Sequence, residues 1–339
     1  MRLYFTSQQR RLLREFPRPL ASGYSALNRY THSAMVLIWA TVIAGVVGLA
    51  FGSFLNVCIS RWPEEQSVLK PRSYCPNCER TLTWWENIPL LSWLLLRGHC
   101  RTCQAPIGWR HPLVELAVGG LWAFSVWQML SQTPQQDFAS LSYIDLANGF
   151  ARLVFIWLLV GLAAMDAENL WLPDRLIFPG IVLGLLLVVA RAALETYYYN
   201  GPDFDWWRHR TGTEVAFWFL AVVISGGILA AIRFLYKLIR DREGIGFGDV
   251  KLMAMLGGWL GAPWIGHPFL KVALLTLGIG VIAAAAYALI PLANPSVRAN
   301  PETWAEKKLP LGTFLCLGGI ICGFWGVPIV AVYTNWAGF

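Results

Sequence analysis

Gly244-Ile245-Gly246-Phe247-Gly248-Asp249-Val250-Lys251 joins a basic loop to the apolar run Leu252-Met253-Ala254-Met255-Leu256. It places the Asp249 carboxylate where hydrocarbon would begin. An ionisable group at membrane depth costs a few kcal/mol or more, so such a group points to function. The glycines, with Gly246 and Gly248 flanking Phe247, leave the backbone bare and open to close approach by another chain. An aspartate in this position also commonly caps a helix. The balance moves toward chemistry because a second carboxylate, Asp166, ends another apolar run at residues 150–165.

Outward from this stretch, the composition sets the class. The chain has 339 residues, of which 56% are hydrophobic and 14% charged. Its mean hydropathy is +0.49. These values describe an all-α polytopic membrane protein with lipid around it, and they exclude a soluble domain. The 18 tryptophans suit interfacial belts. A net charge of +7 in such a chain reads as basic cytoplasmic loops, so no nucleic-acid partner is expected.

The apolar runs predict about eight transmembrane helices, at residues 35–59, 112–130, 150–165, 176–194, 215–238, 250–260, 269–292 and 311–333. The run 250–260 is short and glycine-rich, and fits a short or buried sixth helix. Four domains follow: a basic tail at 1–34, the first helix at 35–59, a polar cysteine-bearing loop at 60–111, and a multi-helix membrane domain at 112–339. Residues 195–213 are expected to be an aromatic, polar loop.

Loop charge sets the orientation. Residues 60–111 hold Arg61, Lys70, Arg72, Arg80, Arg97, Arg101 and Arg110, and residues 233–251 hold Arg233, Lys237, Arg240, Arg242 and Lys251. A third basic loop carries Arg298, Lys307 and Lys308. The other side has fewer, chiefly Arg152, Arg191, Arg208 and Arg210. The positive-inside rule puts the cysteine loop, Asp166 and Asp249 on the cytoplasmic side. Eight spans would then leave both termini outside, and the arginine-rich residues 1–33 would have to cross the membrane. No signal peptide is expected in that tail, which lacks a continuous apolar core and a small-residue cleavage site. A native start at Met35, which directly opens the first span, would remove the conflict.

Cys75-Pro76-Asn77-Cys78 and Cys100-Arg101-Thr102-Cys103 form two CxxC pairs. Each CxxC turn aims two sulfurs at one ion, and four thiolates in this pattern suit tetrahedral Zn²⁺. The spacing between the pairs is slightly longer than in most zinc ribbons. A cytoplasmic location disfavours the disulfide alternative. Four protein ligands leave no open position, so the expected role is structural, holding together a loop with little core of its own. His99, next to Cys100, is expected to be a bystander. Cys58, Cys316 and Cys322 lie in apolar runs and read as small buried residues.

The second acidic stretch is Met165-Asp166-Ala167-Glu168-Asn169-Leu170-Trp171-Leu172-Pro173-Asp174. Glu168 and Asp174 read as interfacial turn residues. Asp166 and Asp249 each end a span on the same side, and two such ends can face each other in a bundle. Two carboxylates sharing a proton are the working parts of an aspartic protease. One activates water, while its protonated partner polarises the carbonyl and protonates the leaving amine.

Several blocks, in order, carry a resemblance to a known family. They are Gly52-Ser53-Phe54-Leu55-Asn56-Val57 with Arg61 and Pro63, the four cysteines, and Glu86-Asn87-Ile88-Pro89-Leu90-Leu91-Ser92-Trp93. Arg110-His111-Pro112-Leu113-Val114-Glu115-Leu116 follows, then Asp166 with Leu172-Pro173-Asp174, Gly246-Phe247-Gly248-Asp249-Val250-Lys251-Leu252, and Leu309-Pro310-Leu311-Gly312. Together they resemble the type IV prepilin peptidases, membrane aspartic proteases of the GxGD type found in the bacterial inner membrane.

The resemblance implies that Asp166 and Asp249 are the catalytic pair, with Gly246, Gly248 and Lys251 in the active-site loop. It implies cleavage of a short basic leader from prepilins and type II secretion pseudopilins at the cytoplasmic face. It also implies N-methylation of the new terminus with S-adenosylmethionine, an activity of the members that carry the cysteine loop. Contacts to the methyl donor are expected only broadly, around residues 52–61 and the cysteine loop, because no Gly-rich nucleotide fingerprint is present. Glu64, Glu65, Glu79 and Glu86 are candidate contacts for the basic leader.

This chain departs from the family pattern at Trp62, at His99, and at Leu311 and Thr313, where the last block usually reads Ile-Pro-Phe-Gly-Pro. Two other readings compete: a presenilin-like intramembrane protease, and a transporter or scaffold with a zinc ribbon. The cysteine loop and the 86–93 block stand against the first. The absence of a convincing internal repeat stands against the second.

Overall fold

A computed structural model describes residues 19–132, 141–199, 204–241, 244–261, 269–289 and 309–337. The helices are α1 (Pro19–Arg61), α2 (Leu91–Leu95), α3 (Arg110–Ser131), α4 (Tyr143–Asn169), α5 (Asp174–Tyr199), α6 (Phe204–Arg240), α7 (Phe247–Leu260), α8 (Phe269–Leu289) and α9 (Leu311–Ala337), with a 3₁₀ turn at Trp84–Asn87. Among the described residues no strand forms, only the isolated bridges Tyr74↔Thr81 and His99↔Pro106.

Among the described residues, seven helices are long and apolar enough to cross a membrane. The eighth apolar run, 250–260, is the one read from sequence as a short or buried helix. The run 250–260 forms α7, whose 14 residues reach about 21 Å and fall short of a ~30 Å core. Instead of crossing, α7 is wrapped by α5, α6, α8 and α9. Leu252, Met253, Met255 and Leu256 are fully buried. Trp259 stacks on Phe155 of α4 at 5.1 Å and donates its indole N–H to the Gly180 carbonyl at 2.9 Å.

Two other boundaries differ from the sequence reading. Helix α1 runs back to Pro19, a residue well suited to the first helical position, so part of the basic tail is helical; residues 1–18 lie outside the described residues. The expected loop at 195–213 is largely helical as well. Arg191–Glu195 and Arg210–Glu214 pair one turn apart, and Arg210 also bonds Glu195 at 3.0 Å, stitching the end of α5 to the start of α6.

Helices α1 and α3 pack along a small-residue seam. A Cβ on Gly48 would stand 2.9 Å from the Gly119 Cα, and one on Gly52 2.7 Å from the Glu115 Cα. Such backbone-to-backbone approach is what small residues permit between membrane helices. The seam holds the base of the cysteine loop, which leaves α1 at Arg61 and returns at Arg110.

Candidate active site

Asp166 lies in the last turn of α4, not at its end. The helix continues to Asn169 and stops at Leu170, which takes the left-handed conformation and donates its N–H back to the Asp166 carbonyl. The carboxylate is 5% exposed. Thr313, in the first turn of α9, donates to Asp166 Oδ2 twice, from its backbone N–H at 2.7 Å and its hydroxyl at 3.0 Å. First-turn N–H groups have no partner within their own helix, and they carry the positive end of the helix dipole. The hydroxyl also lies 3.0 Å from the Ala163 carbonyl, within hydrogen-bond reach of both acceptors. Sequence reasoning passed over Thr313 as a departure from pattern. Its signal was there in Pro310 followed by Gly312, a helix start aimed at one point.

Asp249 is the third residue of α7, with Gly246 as N-cap. Its carboxylate accepts the Gly246 backbone N–H from inside the first turn, so Asp249 is not the N-cap but bonds the residue that is. Asp249 is 9% exposed and within electrostatic reach of Asp166. Leu172 locks the two ends together. A Cβ on Gly248 would lie 3.1 Å from the Leu172 Cβ, and one on Gly312 would lie 2.9 Å from its Cδ1 and 3.0 Å from the Asp166 Cγ. Thus 166–174, 246–252 and 309–313, distant in sequence, meet at one end of the bundle.

Lys251 does not face the carboxylates. Its ammonium pairs with Asp174 Oδ1 at 2.6 Å and lies near the Phe178 and Phe247 rings. Asp174, read from sequence as a plain turn residue, therefore anchors α7 to α5. Arg233 of α6 donates to the Ile245 carbonyl at 2.6 Å and fixes the glycine loop. The two buried carboxylates lie within electrostatic reach of each other at one end of the bundle, the arrangement that a base and an acid in one site would need.

The four thiols of Cys75, Cys78, Cys100 and Cys103 lie within 4.8 Å of one another and could hold a metal ion. A tetrahedral thiolate site with ~2.3 Å metal–sulfur bonds needs sulfurs about 3.8 Å apart. The Cys75 and Cys103 sulfurs are separated by 3.8 Å, so the geometry fits. Two matching turns build it. The Cys75 N–H donates to the Arg80 carbonyl and the Cys100 N–H to the Ala105 carbonyl, and Glu79 and Gln104 each turn the chain at positive φ. The backbone N–H groups of Cys103 and Thr102 hold the Cys100 thiol below its ordinary value, toward thiolate. His99 stands apart, its Nδ1 on the Arg97 carbonyl.

Glu86 is not free for a leader. Its side chain is 1% exposed and takes two bonds from Arg80, at 2.6 and 3.2 Å, together with the Thr83 N–H and hydroxyl. Glu64, Glu65 and Glu79 remain exposed. Where the loop meets the bundle, Arg110 bonds Glu168 Oε2 at 2.7 Å and the Ser60 hydroxyl at 2.7 Å. This links the loop's return strand to the helix end that carries Asp166.

Comparison with known proteins identifies the family. Residues 46–129 match the Bacterial Peptidase A24 N-terminal domain, and residues 153–289 match the Type IV leader peptidase family. A Stutzerimonas stutzeri protein named prepilin leader peptidase/N-methyltransferase is 31% identical over 86% of this chain and 93% of its own length. Proteins of the same name from Burkholderia pseudomallei (33% identical over 84% of each chain) and Pseudomonas aeruginosa (30% over 87% of this chain and 93% of that one) are similar. No solved structure matches. With two family domains in order and relatives aligned over most of their length, the chain belongs to the type IV leader peptidase family.

Proposed function

We propose that this protein cleaves the short basic leader from type IV prepilins and type II secretion pseudopilins, using Asp166 and Asp249, and then N-methylates the new terminus with S-adenosylmethionine. The observation that carries the peptidase reading is the meeting of two buried carboxylates from α4 and α7 at one end of the bundle. One carboxylate takes a proton from water as the water attacks the scissile carbonyl. The other, protonated, hydrogen-bonds that carbonyl and then protonates the departing amine. Thr313 orients Asp166, Gly248 lets α7 come close to Leu172, Gly246 donates its N–H to Asp249, and Lys251 holds the loop through Asp174. Methyl transfer rests on the relatives' names and on the cysteine loop. When bound, the donor would supply a sulfonium methyl to the new amine, the C–S electron pair returning to sulfur and the amine's proton leaving to water.

The loop's basic side chains support a cytoplasmic orientation in the inner membrane, with Zn²⁺ as the structural metal of the four cysteines. The test is intact-mass analysis of a prepilin-like substrate incubated with detergent-purified protein and S-adenosylmethionine. A leader-sized loss plus one methyl group is expected. Asp166→Asn and Asp249→Asn should each slow cleavage by at least about a thousandfold while leaving the fold intact, because general acid–base groups contribute on that order. Cleavage surviving in either variant would refute the pair. Cleavage without methylation would leave only the peptidase.

A further inference from the structure

A cavity of about 530 Å³ lies between the end of α1, the cysteine loop and the start of α3, with Cys75 and Cys100 in one wall. Its volume is that of a small-molecule site. Two groups in its lining have a buried polar atom without a partner, and a third is a buried carboxylate. Asn56 is 5% exposed; its amide N–H₂ donates to the His111 carbonyl at 2.9 Å, while its Oδ1 is buried with no partner. Arg110 spends its two terminal nitrogens on Glu168 and Ser60, while its Nε is likewise buried without a partner. Glu115 is 8% exposed, accepts the Leu90 N–H at 2.8 Å and a hydrogen bond from the Ser53 side chain, and among the described residues no cation pairs with it.

Buried polar groups left unpaired are rare and call for a missing partner. The missing partner must donate to Asn56 and accept from Arg110, and a positive charge on it would suit the buried Glu115 carboxyl group. An α-amino acid head with a second cationic centre meets all three: ammonium, carboxylate and sulfonium. Trp93, held by its indole N–H on the Ile107 carbonyl at 3.2 Å, adds a flat apolar wall for a nucleobase. A basic leader side chain would meet Glu115 and Asn56 but would leave Arg110 Nε unpaired. We propose that this cavity is the methyl-donor site, with Asn56, Arg110 and Glu115 as its polar contacts. The inference rests on the methyltransferase reading above. The Arg110–Glu168 bridge sets the cavity beside the end of α4, so a freshly cut terminus need not travel far.

The test is titration calorimetry of full-length, metal-loaded protein in detergent with S-adenosylhomocysteine, together with ultraviolet cross-linking of radiolabelled S-adenosylmethionine mapped by peptide mass. Wild type should bind one equivalent, Asn56→Leu and Glu115→Gln should each weaken binding at least tenfold, and the label should fall within residues 53–61 or 86–115. If wild type binds but both folded variants bind within twofold of it, or the label falls on α7 to α9, the cavity is the wrong site and the methyltransferase reading stands. If wild type does not bind, the methyltransferase reading falls and takes this inference with it. Should either variant fail to fold, the cross-link map of wild type decides.

Discussion

Asp166 sits on a helix whose neighbours Phe155, Leu159, Leu162 and Met165 are almost wholly buried, and it meets a second helix of which the same is true. Cys75 and Cys100 sit in a segment where, between residues 62 and 109, the buried residues are Cys75, Glu86, Gly98 and Cys100. One region is ordered by packed apolar side chains; the other by thiols around a shared point and one buried ion pair. The bundle can therefore place a costly carboxylate pair without cross-links. The loop, with almost no core, depends on a few polar anchors, and losing one should disorder it as a unit.

Metal removal gives the largest effect. Structural thiolate sites contribute on the order of 10 kcal/mol to small domains. Chelation or Cys100→Ser should make residues 62–109 rapidly cleavable by protease while the bundle's melting transition stays in place. Loss of both together would show that the two regions fold as one.

Next comes Gly312→Ala. The added Cβ would crowd both Leu172 and the Asp166 carboxyl group. A misplacement of about 1 Å costs roughly a hundredfold in rate, so leader cleavage should fall by about that much in kcat, with KM little changed and protease resistance of the loop unaltered.

Thr313→Pro should be milder. Proline is tolerated in the first turn of a helix, yet it removes both donors to Asp166. A drop of about tenfold in kcat is expected from losing hydrogen bonds to a charged group. Full activity would show that packing alone fixes the carboxylate.

The smallest effect is a pH difference in the loop. Arg80, helped by Thr83, holds the Glu86 carboxyl down at about 2, below its ordinary 4.5. Its contribution is therefore present above pH 4.5 and lost as pH falls from 4.5 toward 2. Glu86→Gln should make the loop less protease-resistant than wild type at pH 7, and the gap should close below pH 4.5. A gap independent of pH would mean that the ion pair adds nothing beyond side-chain shape.

Much of this was legible in the chain. Long apolar runs announced the helices, because hydrocarbon demands about 20 apolar residues whatever the neighbours do. The two CxxC pairs announced four converging thiols, because each turn is local. Asp166 and Asp249 stood out because charge beside hydrocarbon is expensive. The end of α5 and the start of α6 read as loop because their polar, aromatic residues carry no apolar run, whereas ion pairs within each helix and one between them hold the helical turns. Glu86 looked available for substrate because its partner, Arg80, is found only when the loop closes on itself.

The sequence by itself determined the membrane class, the candidate carboxylates and the four thiols that could hold a metal ion, since each rests on residue chemistry and short-range spacing. Only the tertiary structure decided that α7 is buried rather than spanning, that Thr313 is the donor to Asp166, and that Lys251 belongs to Asp174. It also decided that Asn56, Arg110 and Glu115 line one cavity. These follow from helices meeting across scores of residues, and contacts of that kind are set by how the bundle packs, which no local pattern encodes.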